Sequence, residues 1–147
     1  VLGRVVDRLE AEGLTPVVAV ELEFFLLEAC NGRPVIARGL SSGEQPWANE
    51  VYSLREMEDF KPFFDDLYAA CDAQDIPLES AISEYAPGQF ELTLRHKPDA
   101  LRATDDALMY KRLVKGVAAQ HGMIASVMAK PFAEQAGSGL HPHVSMP

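Results

Sequence analysis

Apolar positions along the chain change their period several times, and those changes divide it into elements. In "VVDRLEAEG" Val5, Val6 and Leu9 fall on one face of a helix that Gly13 can cap. The next run, "TPVVAVELEFFLLEAC", is apolar at positions of both parities, the pattern of a central strand covered on both faces. "NGRPVIARG" begins with a turn signal, and "SSGEQPWANEVY" has no period and reads as a loop. Ser53 and Glu56 form an S-x-x-E capping box for a helix that must adjust at Pro62. Phe63, Phe64, Leu67, Tyr68 and Cys71 then trace a helical stripe.

Further on, "IPLESAISEYAPGQFELTLRH" reads as two extended pieces joined at Pro87-Gly88. "DALRATDDALMYKRLVKGVAAQHG" carries Leu101, Leu108, Val114, Val117 and Ala118 at helical spacing and stops at Gly122. "MIASVMAKP", "FAEQAGSG" and "LHPHVSM" follow as strand, long turn and strand. The sum is an α+β unit of roughly six strands and three helices, without the βαβ alternation of a doubly wound sheet.

Composition narrows the class. A chain of 147 residues suits one domain, and 48% apolar with 24% charged residues is globular usage. A net charge of −9 excludes a general nucleic-acid footprint, which needs clustered Lys and Arg. Cys30 and Cys71 form no CxxC pair and read as two reduced, buried thiols in a reducing compartment. No apolar run is long enough to span a membrane and the N-terminus has no basic-then-apolar leader, so the expected location is the cytoplasm. The chain lacks an initiator Met, opens inside a helical run and closes inside an extended one; it reads as a segment of a longer protein.

Candidate chemistry sits on the strands. Residues i and i+2 of a strand share a face, so Glu21 and Glu23 project together from an apolar run. Two carboxylates roughly 6–7 Å apart repel by about 2–3 kcal/mol at an effective dielectric near 20, so something cationic is expected beside them. An exposed strand face, or pairing with Arg or Lys, would satisfy the same pattern. Glu84 and Glu91 flank "YAPGQF", whose bend brings them toward a common point, and Glu91 shares its face with Gln89 and Thr93. His141 and His143 share a face of the last strand, and Pro142 between them requires an edge or non-donating position. Carboxylates with imidazole and no thiolate suit Mg²⁺ or Mn²⁺ better than Zn²⁺. Such ions are held by few carboxylates together with substrate phosphates, which points to nucleotide chemistry.

The order of the pieces is more specific than any one of them. "ELEFFLL", "ESAISEYAPGQFEL" and "MAKPFAEQAGSGLHPHVSM", with a long helix between the last two, resemble the front half of the glutamine synthetase catalytic domain over nearly the whole chain. The resemblance implies a mainly antiparallel, curved sheet with packing helices, and residues 1–147 as part of such a domain. The family's β-rich N-terminal domain and C-terminal half would lie beyond these ends. It implies two divalent ions, Mg²⁺ or Mn²⁺: Glu23, Glu84 and Glu91 would hold the ion that steers glutamate. Glu21 and His141 would hold the ion that bridges the ATP phosphates. Glu79, His143 and Ser145 match nucleotide contacts, and Gly137 matches the glycine loop that approaches glutamate. No residue here corresponds to a catalytic acid or base.

The implied reaction is ATP-dependent ligation of the glutamate γ-carboxylate to an amine through γ-glutamyl phosphate. Ammonia-using members usually carry Asn-Gly-Ser-Gly in the loop, whereas Ala136 precedes Gly137-Ser138-Gly139 here. With "QPWANEVYSL", that form resembles the branch that joins glutamate to polyamines or other amines; ordinary glutamine synthesis stays close beside it. Family members form stacked rings, a dodecamer, with sites built between subunits, and these 147 residues by themselves are expected to lack ligase activity. The reading of a different class is a non-catalytic divalent-metal module. A cupin-like variant of it, suggested by His-x-His, is opposed by the long helix from Asp99 to His121.

Overall fold

One strand organises the molecule. β1 (Val17–Cys30) pairs antiparallel with four partners: β2 (Arg33–Ile36), β4 (Gln89–Leu94), β5 (Ile124–Ser126) and β6 (Leu140–Ser145). β3 (Leu78–Ser83) pairs with β4, so the six-stranded, curled sheet runs β2-β1-β4-β3 with β5 and β6 also on β1. Four helices accompany it: α1 (Leu2–Ala11), α2 (Leu54–Asp59), α3 (Lys61–Ala73) and α4 (Ala100–Gln120). The structure is a computed structural model describing residues 1–46 and 49–146; Trp47 and Ala48 of the "QPWANEVYSL" loop lie outside the described residues.

The double parity of β1 has the physical cause its pattern predicts. Leu22, Phe24 and Leu26 face the main core, where Phe60, Phe63, Leu67, Phe90, Tyr110 and Val114 meet them. Phe25 and Leu27 face the other way, against Ala86 and the partly buried Ile36, Phe132 and Ala136. Burying each such aromatic or aliphatic side chain contributes about 1.5–3 kcal/mol, which makes β1 the best-anchored element. Glu21 and Glu23 lie on the Phe25 face, just past the end of its apolar cover.

Several expectations change in three dimensions. The single adjusted helix is two: Phe60 ends α2 and begins α3, because Pro62 has no N–H to donate and is accommodated only in a first turn. Half of the capping box forms, with Ser53 Oγ accepting from the Glu56 N–H at 3.3 Å. The Glu56 carboxylate turns away instead and accepts the Gly88 N–H at 2.6 Å, tying α2 to the β3–β4 turn. On α4 the buried face is Ala103, Asp106, Tyr110, Val114 and Val117, while Leu101 and Leu108 are exposed, since the sheet covers only one stripe of a 21-residue helix. Val5 is likewise exposed and Val6 packs partly against Val18, Ala100 and Ala103. Cys71 is buried as expected, but Cys30 is exposed because β1 ends there in the hairpin turn at Asn31-Gly32. Among the described residues no helix is long and apolar enough to cross a membrane.

Candidate metal centre

Strand register converts sequence spacing into a cluster. Glu21 stands opposite Thr93 on β4 and opposite His141 on β6, and Glu23 stands opposite Glu91. Partners directly across an antiparallel pair point to the same face with Cβ atoms about 5 Å apart, so these side chains converge. One donor atom from each of Glu21, Glu91 and His141 lies within 4.8 Å of the other two. His141 Nδ1 is 3.8 Å from both Glu21 Oε2 and Glu23 Oε1, and His143 Nε2 reaches Glu21 Oε2 at 3.0 Å. Glu84 follows β3 at the same end of the sheet, its N–H bonded to Gln89 O at 2.7 Å.

The carboxylates feel one another. Burial, then Glu21, Glu84 and Glu23, push Glu91 up to about 7 against the relief from His141. Burial also raises Glu84, helped by Glu23. Among the described residues the Lys and Arg ion pairs lie elsewhere, at Glu28, Asp65 and Asp106. The alternative in which Arg or Lys neutralises the "ELE" face is therefore not the arrangement found. A set of carboxylate oxygens and one imidazole, with no thiolate, fits a hard divalent cation.

The loop between β5 and β6 forms the rim. A Cβ at Gly139 would stand 2.8 Å from Glu23 Oε1 and 2.7 Å from the His141 ring, so any other residue here would push these two side chains from their positions. Ser138 N–H donates to Ala129 O at 2.9 Å, while Ser138 Oγ is buried with no hydrogen-bond partner among the described residues. Gly137 offers its carbonyl to Gln89 Nε2 at 2.9 Å. An orphaned hydroxyl in a glycine loop beside an acidic cluster is a place where a polar ligand would complete the hydrogen bonding.

The residues expected in two ligand sets stand together in one cluster. Glu91 stands with Glu21 and His141, Glu23 touches that group through His141, and Glu84 joins by charge. Glu79 is exposed at the bulge between Leu78 and Ser80, and Ser145 is exposed opposite Val17, four residues along β1 from Glu21. Gln89 and Gly139 were not singled out from sequence. Gln89 shares the strand face of Glu91 and was legible to that extent, whereas nothing in "AGSGL" reveals that Gly139 touches Glu23.

An acidic, histidine-bearing face on a curled antiparallel sheet, rimmed by a glycine loop, suits a divalent cation with a polar ligand beside it. All of residues 1–147 match the family described as the glutamine synthetase catalytic domain, and the chain belongs to that family. It is 42% identical to the gamma-glutamylputrescine synthetase PuuA of Escherichia coli, over 99% of this chain and 32% of that protein. It is 36% identical to a glutamine synthetase of Mycolicibacterium smegmatis, over 99% of this chain and 31% of that protein. A solved GmaS/ADP complex superposes with a TM-score of 0.83 at 29% identity, over 99% of this chain and 32% of that one. The chain thus spans about a third of the length of the curated relatives it matches.

Proposed function

We propose that the protein to which these residues belong ligates the γ-carboxylate of glutamate to an amine at the expense of ATP. A glutamate carboxylate oxygen attacks the γ-phosphorus of ATP, releasing ADP and giving γ-glutamyl phosphate; the amine then attacks the acyl carbon and inorganic phosphate leaves. In this reading Glu23, Glu84 and Glu91 would hold an ion on the glutamate side, and Glu21 and His141 would hold one on the phosphate side. Glu79, His143 and Ser145 bind nucleotide, and Gly137 lines the glutamate site. Mg²⁺ or Mn²⁺ bound there would neutralise charge on the transferring phosphoryl group. The chain's own contribution is placement: β1, β4 and the β3–β4 turn hold carboxylates that repel each other in one place, with His141 of β6 among them, so little reorganisation is needed when cations and phosphates enter.

The observation that carries the proposal is the convergence of Glu21, Glu91 and His141 from three strands, with Glu23 alongside, in a chain of this family. The amine is favoured over ammonia by Ala136 in the loop and by the similarity to proteins named as ligases of putrescine and, at 32% identity, isopropylamine. The full-length protein is proposed to form a ring-shaped homo-oligomer in the cytoplasm. The test measures phosphate release by the full-length protein with ATP, glutamate, Mg²⁺ and one of putrescine, isopropylamine or ammonia. Putrescine is expected to give the highest kcat/KM. A clear preference for ammonia would return the protein to glutamine synthesis, and no amine-dependent phosphate release from any of the three would refute ligation altogether.

A further inference from the structure

Gln89 is buried to 1% exposure, and both ends of its amide are occupied by groups from different parts of the chain. Nε2 donates to Glu23 Oε2 at 3.0 Å and to Gly137 O at 2.9 Å, and Oε1 accepts the Ala86 N–H at 3.2 Å. A glutamine that only stabilised its own turn would need the last of these. This one joins β1, the β3–β4 turn and the loop that precedes β6.

Two consequences follow for the site. Oε2 of Glu23 accepts from Gln89, whereas Oε1 has no hydrogen-bond donor among the described residues and is the oxygen that faces His141 Nδ1 at 3.8 Å. The loop is held at three successive points: Gly137 O by Gln89, Ser138 N–H by Ala129 O, and Gly139 O by the Glu23 N–H at 3.2 Å. Removing the Gln89 amide would free the Glu23 carboxylate to rotate and release the first of those points together. Groups that orient a ligand from behind typically change metal affinity by about 10–100-fold when lost.

We infer that Gln89 is a positioning residue that presents Glu23 through Oε1 and holds the Gly137–Gly139 loop in register with it, so that cation binding and substrate binding at the loop are coupled. The coupling is reciprocal, since an effect of the cation on glutamate affinity requires an equal effect of glutamate on cation affinity. The identity of the two ligands, a divalent cation and glutamate, rests on the ligase reading above.

The test uses the full-length protein, with Mn²⁺ affinity read from the EPR signal of free Mn²⁺, with and without glutamate. Exchange of the Ser138 and Gly139 amides is followed by hydrogen–deuterium exchange without metal. Gln89→Met keeps the buried volume and removes both donors. It is expected to weaken Mn²⁺ binding about tenfold, to reduce the mutual effect of Mn²⁺ and glutamate toward none, and to speed loop exchange. Gln89→Glu keeps an acceptor for Ala86 but sets a carboxyl group against Glu23, and its Mn²⁺ affinity is expected to depend on pH more steeply than that of the wild type. A merely structural glutamine would lower the melting temperature and leave the Mn²⁺–glutamate coupling intact. Affinity, coupling and loop exchange within about twofold of wild type in folded Gln89→Met would overturn the inference. If that variant does not fold, unchanged coupling and pH dependence in Gln89→Glu would overturn it, as would a wild type whose Mn²⁺ and glutamate bind independently. Failure of the ligase reading is separate and shows as absent amine-dependent phosphate release in the wild type.

Discussion

At the scale of single residues, the site is a set of charges held where charges are costly. The Glu91 carboxyl titrates near 7 in the folded chain against an ordinary value of 4.5, chiefly because it is buried. Between those values the folded state keeps a proton that the unfolded chain has released, so stability without metal falls as pH rises through that window. The urea midpoint of the metal-free chain is therefore expected to decline from about pH 5 to about pH 7, and Glu91→Gln to flatten the decline; an equal slope in both would contradict it. Adding Mn²⁺ in the same window should release protons, readable with an indicator dye. Gly139→Ala is expected to weaken Mn²⁺ binding by at least about tenfold, because its methyl would press on Glu23 and His141 together. Spacing paired Glu21 with Glu23 and His141 with His143, since i and i+2 on a strand share a face whatever the fold. The bend at Pro87-Gly88 marked Glu84 and Glu91, and the ligand roles came from the family resemblance. Spacing could not show which carboxylates meet, because that depends on register between strands far apart in sequence.

At the scale of elements, aromatic packing and one turn carry much of the framework. Phe90 packs against Phe24, Phe60 and Phe64 with ring centroids 5.2–6.1 Å apart and joins β4 to β1, α2 and α3. Phe90→Ala is expected to destabilise the chain by about 3–5 kcal/mol in chemical denaturation, with the cavity adding to lost burial. Gly88 has φ +70°, and a Cβ there would lie 2.6 Å from Ile36 Cγ2. Gly88→Ala should cost about 1–3 kcal/mol and loosen the turn that presents Glu84 and Gln89. The strands and the long helix were evident from period and punctuation. The buried face of α4 was not: Leu101 and Leu108 also satisfy a helical period, and the sheet selected the stripe through Tyr110 and Val114 instead. Asp106 on that stripe is buried with Lys97 at 2.6 Å and Arg102 at 2.8 Å, a pairing no hydrophobic pattern announces.

For the whole molecule, the relation to longer relatives sets the expectation for activity. The 147 residues are predicted to form no γ-glutamyl amide by themselves, although their acidic face should still bind Mn²⁺; ATP-dependent amide formation by this chain would contradict that. β6 is exposed at every position, with Leu140 and Val144 more than half exposed, although it bears His141 and His143. What the sequence determined by itself was local: the alternation and punctuation that make strands and helices, the residue types that suit a hard cation, and an order of motifs specific to one family. Such features are set by neighbours within a few residues, where backbone geometry leaves little choice. The tertiary structure decided which oxygens converge, that Glu56 serves Gly88 rather than its own helix, and that Gln89 ties Glu23 to the glycine loop. Those contacts join residues tens of positions apart, and their geometry exists only once β1 has gathered its four partner strands.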